Sequence, residues 1–118
     1  MLNWCENTSI KAKIETQKAN QTYVSINYDL NDIFFYNIDK HLPKLKYFSN
    51  YSRKTFLTHI SIKLLSKLPE LEFLYFSDQS KISDQYIHEL IKKCPKLKSI
   101  HLGSKVFDIN IINNIRKQ

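Results

Sequence analysis

Four histidines and two cysteines are the side chains best suited to metal binding or proton transfer, and their spacing supports neither. His41, His59, His88 and His101 form no His-x-x-x-His pair. Cys5 and Cys94 lie far apart and form no Cys-x-x-Cys pair, so zinc-ligand spacing and a disulfide framework are both missing. His88 and Glu89 stand beside Lys92 on a helical stretch, where a solvated face accounts for them. Asp32, Asp84 and Asp108 fall near expected helix starts, where an acid caps free N–H groups and meets the positive end of the helix dipole. The single glycine, Gly103, is too few for a P-loop, a Rossmann fingerprint or a Gly-x-Ser-x-Gly nucleophile elbow. No catalytic residue, metal ligand or cofactor is therefore expected, and the chain reads as a non-enzyme.

Aromatic side chains offer a different chemistry, the burial of large rigid surfaces against a partner. Tyr47, Phe73, Tyr75 and His101 are the residues expected at the centre of such a surface, with Tyr51 and Ser99 beside them. They fall into columns because of a repeat. The three prolines stand at 43, 69 and 95, a period of 26 residues. Each opens a similar string: Leu42-Pro43-Lys44-Leu45-Lys46-Tyr47-Phe48, Leu68-Pro69-Glu70-Leu71-Glu72-Phe73-Leu74, and Cys94-Pro95-Lys96-Leu97-Lys98-Ser99-Ile100. A fixed period in this range marks stacked repeats. Cys94 takes the place of Leu42 and Leu68, so it is expected as a small buried apolar residue and not as a reactive thiol.

The alternation in Tyr23-Val24-Ser25-Ile26-Asn27 predicts a strand over 23–27, and the strings after each proline predict strands over 45–49, 71–77 and 97–102. Helices are expected from Asn31 or Asp32 through Ile38, over 58–67, from Ser83 or Asp84 to Lys93, and over 108–116. The apolar residues of the middle helix are slightly shifted against the other copies. Within the strands, period-2 alternation sends Leu45 and Phe48, Leu71, Leu74 and Phe76, and Leu97, Ile100 and Leu102 inward. Asn50 breaks this pattern; its amide is expected either to meet buried backbone groups or to mark an early strand end. Three outward columns remain: Tyr23, Tyr47, Phe73 and Ser99; Ser25, Ser49, Tyr75 and His101; Asn27, Tyr51, Ser77 and Gly103. Aromatic residues here suit a protein-binding face, and they also suit packing between neighbouring strands.

The unit Ile-Ser-Asp-x-x-Ile-x-x-Leu-x-x-x-Cys-Pro-x-Leu-x-x-Ile-x-Leu over 82–102 resembles the cysteine-containing leucine-rich repeat of F-box and leucine-rich-repeat proteins, and the likeness extends over about 22–115. The resemblance implies an α/β fold, a short leucine-rich-repeat solenoid with parallel strands on a concave face and helices on the convex one. It implies an array of about three to four 26-residue units over 22–118, with 1–21 as an irregular amino-terminal cap or a degraded repeat. It further implies a protein-binding module like the substrate-recognition end of a cullin-type ubiquitin ligase receptor, with the protein target on the concave face. No F-box is seen in the chain, so the ligase link rests on the repeats alone.

At 118 residues the chain is the size of one domain, and its net charge of +7 with a pI near 9.4 raises nucleic acid as an alternative partner. A nucleic-acid partner is not favoured, because the lysines gather near Pro43 and Pro95 and not among Tyr47, Phe73 and Tyr75. A third reading is a truncated repeat fragment without function. The amino terminus lacks the basic and apolar regions of a signal peptide, and apolar clusters are too short to span a bilayer. A cytoplasmic or nuclear protein without a membrane partner is the expectation.

Overall fold

The computed structural model describes residues 20–79 and 81–118. The expected cap over 1–21 lies, except for its last two residues, outside them. The described chain is a mixed α/β fold: one five-stranded sheet, mostly parallel, with helices against one face.

The strands are β1 (Tyr23–Ile26), β2 (Tyr47–Asn50), β3 (Phe73–Phe76), β4 (Ser99–Leu102) and β5 (Lys105–Phe107), in the spatial order β1-β2-β3-β4-β5. The first four run parallel, with Tyr23, Tyr47, Phe73 and Ser99 in one register row and Ser25, Ser49, Tyr75 and His101 in another. The same hydrogen bonds recur at each step. Lys46 and Tyr47 both donate their N–H groups to the Thr22 carbonyl, Glu72 and Phe73 to that of Lys46, and Lys98 and Ser99 to that of Glu72. Consecutive parallel strands need a long crossover, and the stretches from one strand to the next supply it. They carry a 3₁₀ turn (Asp32–Phe35) with helix α1 (Ile38–His41), then α2 (His59–Leu65) and α3 (Asp84–Lys93). A last helix, α4 (Ile109–Arg116), follows β5.

The prolines set where the helices stop. Pro disfavours helical geometry in the residue before it. Leu42 and Cys94, each preceding a proline, have left the helical region with ψ 60 and ψ 89, while their N–H groups still close the last turn onto Ile38 and Leu90. Both side chains then point into the core, as does Leu68. Leu45, Leu71 and Leu97 form a second buried column at 0% exposure, and Phe48, Leu74 and Ile100 a third. Phe34, Phe35, Phe48 and Phe76 pack as edge-on and tilted rings 5.1 to 6.2 Å apart. Such pairs contribute about 0.5–1.5 kcal/mol each beyond the area they bury.

The structure revises or refines the sequence expectations at four places. The single helix running through Ile38 is broken, because Asn37 adopts a left-handed conformation (φ 63) between the 3₁₀ turn and α1. Phe34 and Phe35 are buried from the 3₁₀ turn and Ile38 from α1 on the other side of the break. In the middle unit the slight shift read from the sequence is a slip of one residue: Leu57 is buried in the place the repeat gives to Phe56, and Phe56 is 72% exposed. Ser49, expected to face outward, is fully buried. The unforeseen strand β5 pairs antiparallel with β4 through a two-residue turn, Gly103-Ser104. Gly103 takes φ 59 there, a region glycine enters without the Cβ penalty.

Candidate functional site

The face of the sheet away from the helices carries every residue proposed from sequence for binding. β-strand alternation puts Val24, Ile26, Phe48, Leu74, Phe76, Ile100 and Leu102 on the helix side and leaves the rows above on the open side. Two ladders of rings result. Tyr23 stacks on Tyr47 at 4.5 Å with planes 9° apart, and Tyr47 meets Phe73 at 6.0 Å. The second ladder runs diagonally, from Tyr51 to Tyr75 at 5.0 Å and on to His101 at 4.9 Å. Ser99 ends the first row, half-buried beside Phe73.

Packing between strands uses only part of these rings. Tyr23, Tyr51 and Phe73 remain 55%, 48% and 38% exposed, and Tyr47, Tyr75 and His101 are half-buried. The neighbouring rings hold one another in place, so their rotamers are already restricted before any partner arrives, and less entropy is lost on binding. The Tyr47 hydroxyl interacts with that of Tyr51, and this hydrogen bond, with partial burial, raises the Tyr47 pKa above the ordinary phenol value. That bridge spans the intervening residue, which explains why Ser49 is closed off. Beneath it, the Ser49 hydroxyl donates to the Ser25 hydroxyl at 3.0 Å.

The two lysines after Pro95 are paired with carboxylates. Lys96 pairs with Glu70 at 2.8 Å and Lys98 with Glu72 at 3.1 Å. Lys96, with Lys46 and Lys44 nearby, holds the Glu70 carboxyl below its ordinary value. These pairs lie at the strand ends nearest the prolines, away from Tyr51.

At the opposite strand ends, each loop braces the one before it. The Thr55 hydroxyl accepts from the Leu30 N–H at 2.9 Å, Gln79 Oε1 accepts from the Leu57 N–H at 3.0 Å, and Lys105 Nζ donates to the Ile82 carbonyl at 3.0 Å. Asn50 is the hub of the first brace. Fully buried, it donates to the carbonyls of Ile26 (3.2 Å) and Tyr28 (2.8 Å) and accepts from the Thr55 hydroxyl at 2.6 Å. Its amide meets buried backbone groups, the first of the two alternatives its place in the repeat suggested. Sequence reading missed the roles of Thr55 and Gln79; the only signal was the polar Asn50 in an apolar column.

Cys94 is fully buried, and its thiol lies 3.6 to 3.9 Å from the carbonyl oxygens of Leu65, Ser66 and Leu68. Burial pushes the thiol pKa up to about 11, against a smaller lowering by Arg116. A thiol held protonated is a poor nucleophile and metal ligand. Among the described residues no group of three His, Cys, Asp or Glu side chains is placed to hold a metal ion, and no helix is long and apolar enough to cross a membrane. Comparison of the chain with protein-family models, curated proteins and solved structures gives no match.

Proposed function

We propose that this chain is a protein–protein interaction module, built as a short leucine-rich-repeat solenoid whose open sheet face is the concave binding surface. The observation that carries the proposal is the pair of half-exposed ring ladders, Tyr23–Tyr47–Phe73 and Tyr51–Tyr75–His101. Aromatic residues in rigid settings are enriched among the few side chains that supply most of the energy at an interface. The recurring proline strings, the one-step register between parallel strands and the buried Leu42–Leu68–Cys94 column support the repeat reading. By its resemblance to F-box and leucine-rich-repeat proteins, the face would recognise a target protein for a cullin-type ligase, with the F-box function supplied elsewhere.

Tyr75 is the test position, since it touches both Tyr51 and His101. Tyr75→Ala should weaken binding of the target at least tenfold while unfolding stays cooperative. Affinity should change little between low and high salt, because phosphate binding, unlike an aromatic interface, weakens steeply through counterion release. Retained affinity in a folded Tyr75→Ala protein would remove the open face from the reading.

A further inference from the structure

A groove of about 610 Å³ opens between the loop joining β2 to α2 and the loop joining β3 to α3, at the strand ends away from the prolines. Its lining includes Arg53, Lys54 and Lys81, with Asp78 as its one acid. By contrast, Lys96, Lys98 and Lys105 each meet a carboxylate within 3.1 Å. Among the described residues, the cationic groups of Arg53, Lys54 and Lys81 make no ion pair. Three unpaired cations against one acid give the groove an excess of positive charge.

The same groove holds the most exposed large apolar side chain described. Phe56 is 72% exposed because the register slip in the middle unit sends Leu57 inward in its place. Across the groove, Tyr86 stacks its ring on His59 at 4.8 Å. The floor is preformed. Thr55 and Gln79 are buried and joined by a hydrogen bond from Gln79 Nε2 to the Thr55 carbonyl at 2.6 Å, while Leu57 and Ile82 pack below.

We propose that this groove is a second docking site, separate from the ring ladders, for an acidic peptide segment that carries an apolar side chain. Carboxylates would be met by the Arg53 fork and by Lys54 and Lys81, since an Arg binds a carboxylate through two parallel hydrogen bonds. The apolar side chain would cover Phe56 and Tyr86. A peptide fits better than a nucleic-acid strand for two reasons. Asp78 within the lining repels phosphate but accepts a peptide N–H. The groove's three cations come from two facing loops and form no extended track of the kind a strand's backbone would follow.

The test uses fluorescence anisotropy on the full chain with a short labelled peptide of glutamates around one phenylalanine. Control probes replace the glutamates with glutamine, replace the phenylalanine with glycine, or are a short labelled oligothymidylate. The acidic aromatic peptide should bind, and the glutamine peptide should bind at least tenfold more weakly. The Arg53→Glu/Lys54→Glu double variant should lower affinity at least tenfold and Phe56→Ala about fivefold; all three side chains leave the core untouched, so the fold is preserved. Tyr75→Ala should leave this binding unchanged, which separates the groove from the ring ladders. No binding of the acidic peptide, binding indifferent to the charge reversal, or tighter binding of oligothymidylate to the same residues would each overturn the proposal.

Discussion

Replacing Asn50 with leucine restores the apolar repeat, since Phe76 and Leu102 occupy the same place in β3 and β4. A purely pattern-based account predicts a neutral or stabilising change. The structure predicts the opposite. Asn50→Leu would remove one of the two donors to each of the Ile26 and Tyr28 carbonyls, which keep the Tyr51 N–H and the Thr55 hydroxyl, and the 2.6 Å acceptor for that hydroxyl. Leaving a buried polar group unpaired costs about 1–3 kcal/mol, and the added apolar contact offsets part of that. A net loss of about 1–2 kcal/mol follows, a sizeable part of the roughly 5–15 kcal/mol by which a domain is stable. Urea unfolding followed by circular dichroism would show the midpoint falling at unchanged slope. Thr55→Val in the same background should still cost about 1 kcal/mol, because the Leu30 N–H loses its acceptor, and should cost more in the native chain, where the bond to Asn50 is lost as well. A variant Asn50→Leu as stable as the native protein would refute the claim that this amide holds the first loop.

Cys94 favours its neutral thiol in the folded state, with its pKa raised from 9.0 to about 11. Its contribution is complete below about pH 9 and is lost as pH rises toward about 11, by about 2–3 kcal/mol; the difference in stability between native and Cys94→Ala proteins should shrink across that window. Burial alone would raise the Asp32 carboxyl, but hydrogen bonds from Ser61 and Thr58 outweigh it and lower the pKa. Its stabilising effect is therefore full above the ordinary carboxylate value of about 3.9 and fades as pH falls through the lower folded value. Asp32→Ala should destabilise by about 1–2 kcal/mol at neutral pH and show a flatter acid unfolding curve. Arg116 Nη2 donates to the Cys94 and Leu97 carbonyls, both at 2.9 Å, tying α4 to the last proline turn. Arg116→Met should cost about 1–3 kcal/mol and speed amide exchange in α4 more than in β1.

The strands were legible because two signals agree there: β-branched and aromatic residues in alternation, and a period fixed by the prolines. The rows of outward residues followed from the period, and the observed register has Tyr47 beside Phe73 and Tyr75 beside His101. Local periodicity failed where tertiary packing overrode it. Asn37, in a left-handed conformation, breaks a helix whose apolar spacing carries no sign of the break, and a one-residue slip exchanges Phe56 with Leu57. β5 was hidden because three residues after a Gly-Ser turn show too little alternation to separate from a loop. The loop braces, Thr55, Gln79 and Lys105, join residues 22 to 25 positions apart in sequence for which pattern alone names no partner. The loop groove was invisible for the same reason, since its cations come from two loops that only the stacked repeats bring together.

The central claim is that the open face with its two ring ladders binds a protein. A pull-down from cell extract with the purified chain, run beside a Phe73→Ala/Tyr75→Ala double variant of verified fold, tests it most directly. The account predicts one protein, with or without cullin–adaptor components, retained by the native chain and lost with the double variant. Equal retention by both proteins, or retention by neither, would contradict it.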